Sequence, residues 1–187
     1  MISPDYPNFS RPTRRFGRFQ PGAKAEIRDT HFIIHDGIGK DAEVHFTGPV
    51  TVATIGEGIG RGAKVVVHSP IAYIAICGSL RRDSSFRMND GTLDIQGGIR
   101  RRAELITNGE YNVRGRISKL ARISTGNAIE IVDDVTSIQE VETSIDHPQR
   151  TTDLPPEVEA FFAPGGPGII PGGLCEIFFH DRVSGDK

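Results

Sequence analysis

Ile38-Gly-Lys-Asp-Ala-Glu-Val-His-Phe46, IGKDAEVHF, returns 21 residues later as Ile59-Gly-Arg-Gly-Ala-Lys-Val-Val-Val67, IGRGAKVVV. LRRDSSFRM from Leu80, IRRRAELIT from Ile99 and ISKLARIST from Ile117 keep the same frame. Each has an aliphatic residue, Lys or Arg two places on, and Ala or Ser four places on, at steps of 21, 21, 19 and 18. A fainter copy, FQPGAKAEI, begins at Phe19, so six units cover about two-thirds of the 187 residues. A unit this short cannot bury its own apolar side chains and must stack on its neighbours, which is the physics of a solenoid.

Within a unit a second apolar pair follows a turn. Val50 and Val52 come after Gly48-Pro49, Leu93 and Ile95 after Asp90-Gly91, Tyr111 and Val113 after Asn108-Gly109, and Ile129 and Ile131 after Gly126-Asn127. Spacing of two means strands, each short strand puts its pair of side chains inward, and the Gly, Pro, Asn and Asp clusters turn the chain through a corner. Hairpins use the same dipeptides, so the turns alone leave both open; the fixed period favours parallel coils. From Ile99 the apolar residues step by six through Leu105, Tyr111, Ile117, Ile123, Ile129 and Val135, three sides of six residues to a coil. The pattern predicts an all-β fold: a single-stranded parallel β-helix, a triangular solenoid of about six coils, over residues 19–135.

The 22 glycines, the absence of Trp and an aromatic content of 7% argue against a helical bundle, and the length suits one domain with tails. Residues 1–18 read as an extended basic arm, with Arg11, Arg14, Arg15 and Arg18 among Tyr6, Phe9 and Phe16, a composition that suits an anionic membrane surface. Residues 136–187 read as an acidic, partly apolar appendage. In it, Asp153 ahead of Pro155-Pro156 predicts a short helix through Phe162. Its apolar side chains, Phe161, Phe162, Ile177, Phe178 and Phe179, need a surface, and capping an open solenoid end or docking on a partner would supply one. The loop APGGPGIIPGG lacks the lysine of a phosphate cradle. Cys77 and Cys175 make neither a disulfide framework nor a zinc set and read as reduced thiols. No uncharged apolar run of about 18 residues occurs, so a cytoplasmic protein, at most peripheral at a membrane, is expected.

Two resemblances accompany this pattern. Ile38-Gly-Lys-Asp-Ala and Ile59-Gly-Arg-Gly-Ala resemble the repeats of the hexapeptide-repeat acyltransferases, built on a left-handed β-helix. That resemblance implies a general-base histidine in a cleft between subunits, for which His45 and His68 are the repeat-borne candidates. The cadence Ile76-Cys-Gly78-Ser-Leu80, Ile95-Gln-Gly97-Gly-Ile99 and Val113-Arg-Gly115-Arg-Ile117 resembles the bactofilins, polymer-forming bacterial cytoskeletal proteins, over roughly residues 19–135. It implies a nucleotide-independent filament in which coils dock end to end. The expected function is thus a non-enzymatic scaffold or self-assembling protein, with itself and other proteins as partners and no cofactor, metal or catalytic residue. The alternatives are a β-helical protein that binds an anionic partner (nucleic acid, anionic lipid or acidic protein) and an acyltransferase-like enzyme.

Charge is divided along the chain: residues 1–122 carry 19 Lys+Arg and 12 Asp+Glu, net +7, and residues 123–187 carry 3 and 12, net -9. Arg61, Arg82, Arg101 and Lys119 share one position in successive units, with Lys40 beginning the column and Arg81, Arg100 and Arg102 beside it. Coils lie ~4.8 Å apart, where like charges repel by roughly 1 kcal/mol per pair in high dielectric. The offset comes from an external polyanion, from Asp41, Asp83 and Glu104 in the same corners, or from the tail with Asp133, Asp134, Glu140, Glu142, Asp153, Glu157 and Glu159. The ladder has no interleaved aromatics for base stacking, which makes nucleic acid the weaker anionic partner. The six histidines do not recur at one coil position and trace no metal set.

Overall fold

Phe19, Ile38, Ile59, Leu80, Ile99 and Ile117, the residues that begin the six units, stand one above another in a single parallel ladder. The computed structural model describes residues 13–125, 128–131, 154–163 and 165–170. Among them the chain forms a β-solenoid of about six turns with three faces. The first face is a six-stranded parallel sheet of β1 (Arg14–Phe16), β3 (His31–Ile34), β5 (Val50–Ile55), β8 (Ile71–Ile76), β11 (Asp90–Ile95) and β13 (Glu110–Val113). The second holds β2 (Lys24–Ile27), β4 (Glu43–Phe46), β7 (Lys64–Val67), β10 (Ser85–Met88), β12 (Glu104–Thr107) and β14 (Arg122–Thr125), with β15 (Ala128–Ile131) added at its end. The third is the ladder itself, where only β6 (Gly58–Ile59) and β9 (Ser79–Leu80) are long enough to count as strands.

The interior is a set of vertical stacks. Val44, Val65, Phe86, Leu105 and Ile123 line one row of the second face, and Ala53, Ile74 and Leu93 line the first. Ile38, Ile59, Leu80 and Ile99 close the triangle and are at most 3% exposed. Each such side chain contributes about 1.5–3 kcal/mol by leaving water. The small residue four places after each ladder residue, Ala42, Ala63, Ser84, Ala103 and Ala121, is buried where the chain turns inward. The glycine of the cadence has a packing cause as well. A Cβ at Gly78 would stand 2.1 Å from the Glu57 carbonyl oxygen, and one at Gly97 would stand 2.5 Å from that of Gly78. Coils approach too closely there for any side chain.

Four expectations change. Val50 and Val52 do not point into the solenoid: the register aligns Ala53 and Ile55 with Ile74 and Ile76, and Val52 belongs to a second apolar cluster on the outside of the first face. β5 is covered on both sides, and on such a strand an apolar residue does not tell inside from outside. The step of six also ends early, because β15 pairs antiparallel with β14, Thr125 opposite Ala128, rather than starting another parallel coil. Only Gly126 and Asn127 separate the two strands, a hairpin-length link. Thirdly, Arg14, Arg15 and Phe16, expected in the arm, pair with Phe32, Ile33 and Ile34 as the first strand of the sheet. Finally, Cys77 is disulfide-bonded, not a reduced thiol, since separation in sequence does not measure separation in space. The other half of that bond lies outside the described residues.

The predicted short helix is present as α1 (Pro156–Phe162). Its Val158, Phe161 and Phe162 are each 3% exposed and pack with Ile33, Val52 and Ala75 on the outer side of the first face, with Val50 and Tyr73 half-buried beside them. His31 Nε2 lies 3.0 Å from Glu157 Oε1, and the Thr54 hydroxyl donates to the Gly168 carbonyl at 2.6 Å. The segment flanks the solenoid and does not cover its end. Ile177, Phe178 and Phe179 lie outside the described residues.

Candidate anion-binding edge

From the second unit on, each coil leaves the third face through a two-residue turn: Lys40-Asp41, Arg61-Gly62, Arg82-Asp83, Arg101-Arg102 and Lys119-Leu120. The second residue of the first four turns has positive φ, 56° at Asp41, 69° at Gly62, 60° at Asp83 and 57° at Arg102. Glycine and aspartate tolerate that conformation, whereas Arg102 carries a strain of roughly 1–2 kcal/mol. The turn throws its first residue outward, so the cations of successive coils form the expected column along one edge. Arg81 and Arg100, directly after the ladder residues, stand exposed beside it.

One carboxylate serves much of this column. Asp83 takes Arg102 in a two-pronged hydrogen bond, Nε to Oδ1 at 2.6 Å and an Nη to Oδ2 at 3.2 Å, with Arg82 at 3.1 Å and Arg61 at 3.9 Å. The Arg102 hydrogen bond, and after it the charges of Arg102, Arg82 and Arg61, hold the Asp83 carboxyl below its usual range. Of the other corner carboxylates, Asp41 pairs with Lys40 at 3.4 Å, while Glu104 turns to Arg87 at 3.3 Å and leaves the ladder alone. Among the described residues Arg81, Arg100 and Arg101 have no ion-pair partner. Glu157 meets His31, and Asp133, Asp134, Glu140, Glu142 and Asp153 lie outside the described residues.

The Asp83 network gives a pH test. A depressed carboxyl contributes stability above its unfolded pKa of about 3.9 and loses it as pH falls through the folded value. Asp83→Asn keeps the left-handed turn, since Asn tolerates positive φ. The variant should melt below the wild type at pH 7, and the gap should close on acidification below about pH 4 and in high salt. A gap that persists unchanged at pH 3 would show that the carboxylate charge is not what Asp83 contributes.

The histidines lie elsewhere. His45 and His68 project from the outside of the second face, with His45 Nδ1 2.8 Å from His68 Nε2 and His45 Nε2 3.3 Å from Glu43. The His45 hydrogen bond, with Lys24 nearby, holds Glu43 below its usual range. His35 meets Arg15 at 3.2 Å and His31 is buried under α1. His147 and His180 lie outside the described residues. Among the described residues no group of three or more His, Cys, Asp and Glu is placed to hold a metal, and no helix is long and apolar enough to cross a membrane.

The column stands where the repeat places it, and of the three corner carboxylates expected to offset it Asp83 and Asp41 pair with it while Glu104 does not. That one carboxylate gathers Arg61, Arg82 and Arg102 depends on side-chain reach, which spacing in sequence does not show. No protein-family model matches this chain, and no curated protein and no solved structure matches it.

Proposed function

We propose that this chain is a non-enzymatic binding scaffold: a rigid β-solenoid that holds an anionic macromolecular partner along its basic edge. The observation that carries the reading is the imbalance at the corner. Arg61, Arg82 and Arg102 share Asp83, and Arg81, Arg100 and Arg101 are left without a carboxylate among the described residues. Six guanidinium groups to one carboxylate, on adjacent coils, concentrate a positive field. Their alignment along the coil axis suits an extended polyanion.

The test changes Arg82, Arg101 and Lys119 together to Ser. Arg82 and Arg101 are exposed at their turns and Lys119 is half-buried at its own, so melting should stay within about 1 °C to 3 °C of the wild type. Binding of inorganic polyphosphate in low salt should weaken, and the slope of log affinity against log salt should fall by about three. Unchanged affinity and slope would remove the edge from the binding surface.

A second reading, bactofilin-like self-assembly, is favoured by the N-terminal end. There β1 and β2 are the outermost strands of their sheets among the described residues, and Phe16 and Phe19 are only half-buried. At the other end antiparallel β15 occupies the edge of the second face and does not offer the parallel register that a following coil needs. Electron microscopy of the purified chain separates the two readings: axial filaments support assembly, and discrete particles that bind polyphosphate support the scaffold.

A further inference from the structure

We infer that a cleft on the third face seats one unit of an acidic polysaccharide, whose chain continues along the basic edge; this deepens the binding reading above and rests on it. The cleft has a volume of about 320 Å³. Gly39, Gly58 and Gly60 line it as bare backbone, held where the coils press together: a Cβ would stand 2.5 Å from the Phe19 carbonyl oxygen at Gly39 and 2.6 Å from the Ser79 carbonyl oxygen at Gly58. The next coils carry Arg81 and Arg100 directly after the ladder residue, where Gly39 and Gly60 stand, and the bare floor ends where those side chains begin.

The walls are opposite in charge. Asp36 and Glu57 come two residues before Ile38 and Ile59, and Lys40 and Arg61 come two residues after them. Arg18 closes the upper end by donating to the Asp36 carbonyl at 3.1 Å and to the Glu57 carboxylate, and Arg81 bounds the lower end. The amides of the floor are engaged with the neighbouring coils, Gly39 to Phe19 at 2.8 Å and Gly60 to Ile38 at 2.7 Å. The floor therefore offers a flat surface without free donors, and the walls must do the selecting.

Each wall makes a separate demand. The cations take a sulfate, phosphate or carboxylate group. Ionised Asp36 and Glu57 can only accept hydrogen bonds; Arg18 serves one oxygen of Glu57, and the acceptor capacity that is left suits a ligand rich in O–H or N–H donors. A sugar ring carrying an acid group has both, with a flat C–H face for the glycine floor. Polyphosphate has the anions without the donors. A nucleic acid has bases to stack, and no aromatic side chain lines the cleft. From Arg61 the column runs on through Arg82, Arg101 and Lys119, a path along the coil axis for the units that follow.

The test is calorimetric titration of the full chain in low salt with a sulfated hexasaccharide, a uronate hexasaccharide and inorganic polyphosphate. It is repeated on Asp36→Asn/Glu57→Gln, a variant that keeps an acceptor for Arg18 and removes both charges. We expect at least one saccharide to bind the wild type. The variant should weaken that saccharide by about tenfold, through loss of charged acceptors, and should bind polyphosphate more tightly because a repulsion is gone. Which saccharide binds identifies the acid group. If the variant tightens both ligands, or if the wild type binds polyphosphate and neither saccharide, the polysaccharide inference falls and the basic-edge reading stands. If none of the three ligands binds the wild type, the basic-edge reading itself falls.

Discussion

Ile99→Asp should abolish the folded solenoid. Ile99 is fully buried and stands in the third-face ladder between Leu80 and Ile117. Its amide donates to the Arg116 carbonyl at 3.0 Å, and its carbonyl accepts from Ser118 at 2.7 Å. Truncating such a side chain costs about 2–5 kcal/mol, and an unpaired carboxylate in its place adds several kcal/mol more. Those terms together rival the ~5–15 kcal/mol that holds a domain folded. The position makes matters worse, because each coil of a solenoid is supported only by its neighbours and Ile99 sits between the large middle coils and the C-terminal ones. Ile99→Val, which keeps the shape, should cost only about 0.5–1.5 kcal/mol. Far-ultraviolet circular dichroism and thermal melting of both variants read the difference. A soluble Ile99→Asp protein with wild-type β signal and melting would reject the ladder register.

Much of this fold is legible because its ladder is repeated. An aliphatic residue, a turn cation and a small corner residue recur at near-constant spacing, and the same three positions become the ladder, the outward column and the buried corner. The reading breaks where one strand serves two cores. Val50 and Val52 look like an inward pair by alternation, yet α1 covers β5 from outside and Ala53 and Ile55 are the inward pair. Nothing local to β5 announces a helix that arrives more than a hundred residues later. The hairpin at the end has a related cause: Ile129 and Ile131 satisfy the period of two equally well in a parallel coil and in antiparallel β15, and only pairing partners decide. Charge is legible as position and illegible as partnership. Arg102 and Glu104 are two places apart in sequence, yet one joins Asp83 and the other joins Arg87.

Removing five of the six acidic charges of residues 133–153 should increase polyanion binding by the intact-length chain. The body of +7 and the tail of -9 nearly cancel, and a covalently attached tail competes for the basic edge at high effective concentration. Changing Asp133, Asp134 and Asp153 to Asn and Glu140 and Glu142 to Gln lifts five of those charges while leaving α1 and its Glu157–His31 pair in place. Affinity for polyphosphate in low salt should rise at least about tenfold, and the gain should shrink as salt shortens the reach of the field. Unchanged affinity, with strong binding by the wild type at physiological salt, would mean that the edge is open to its partner without masking. Cutting the chain after Val135 is a poorer experiment for this purpose and a good one for another. It also strips Val158, Phe161 and Phe162 from Ile33, Val52 and Ala75, and so bares an apolar sheet face. That face lies along the side of the solenoid, so the truncated protein should associate side to side, seen as concentration-dependent particles in light scattering. Growth of thin axial filaments instead would mean that the segment had been guarding an end, and would return the end-capping role to the C-terminal residues.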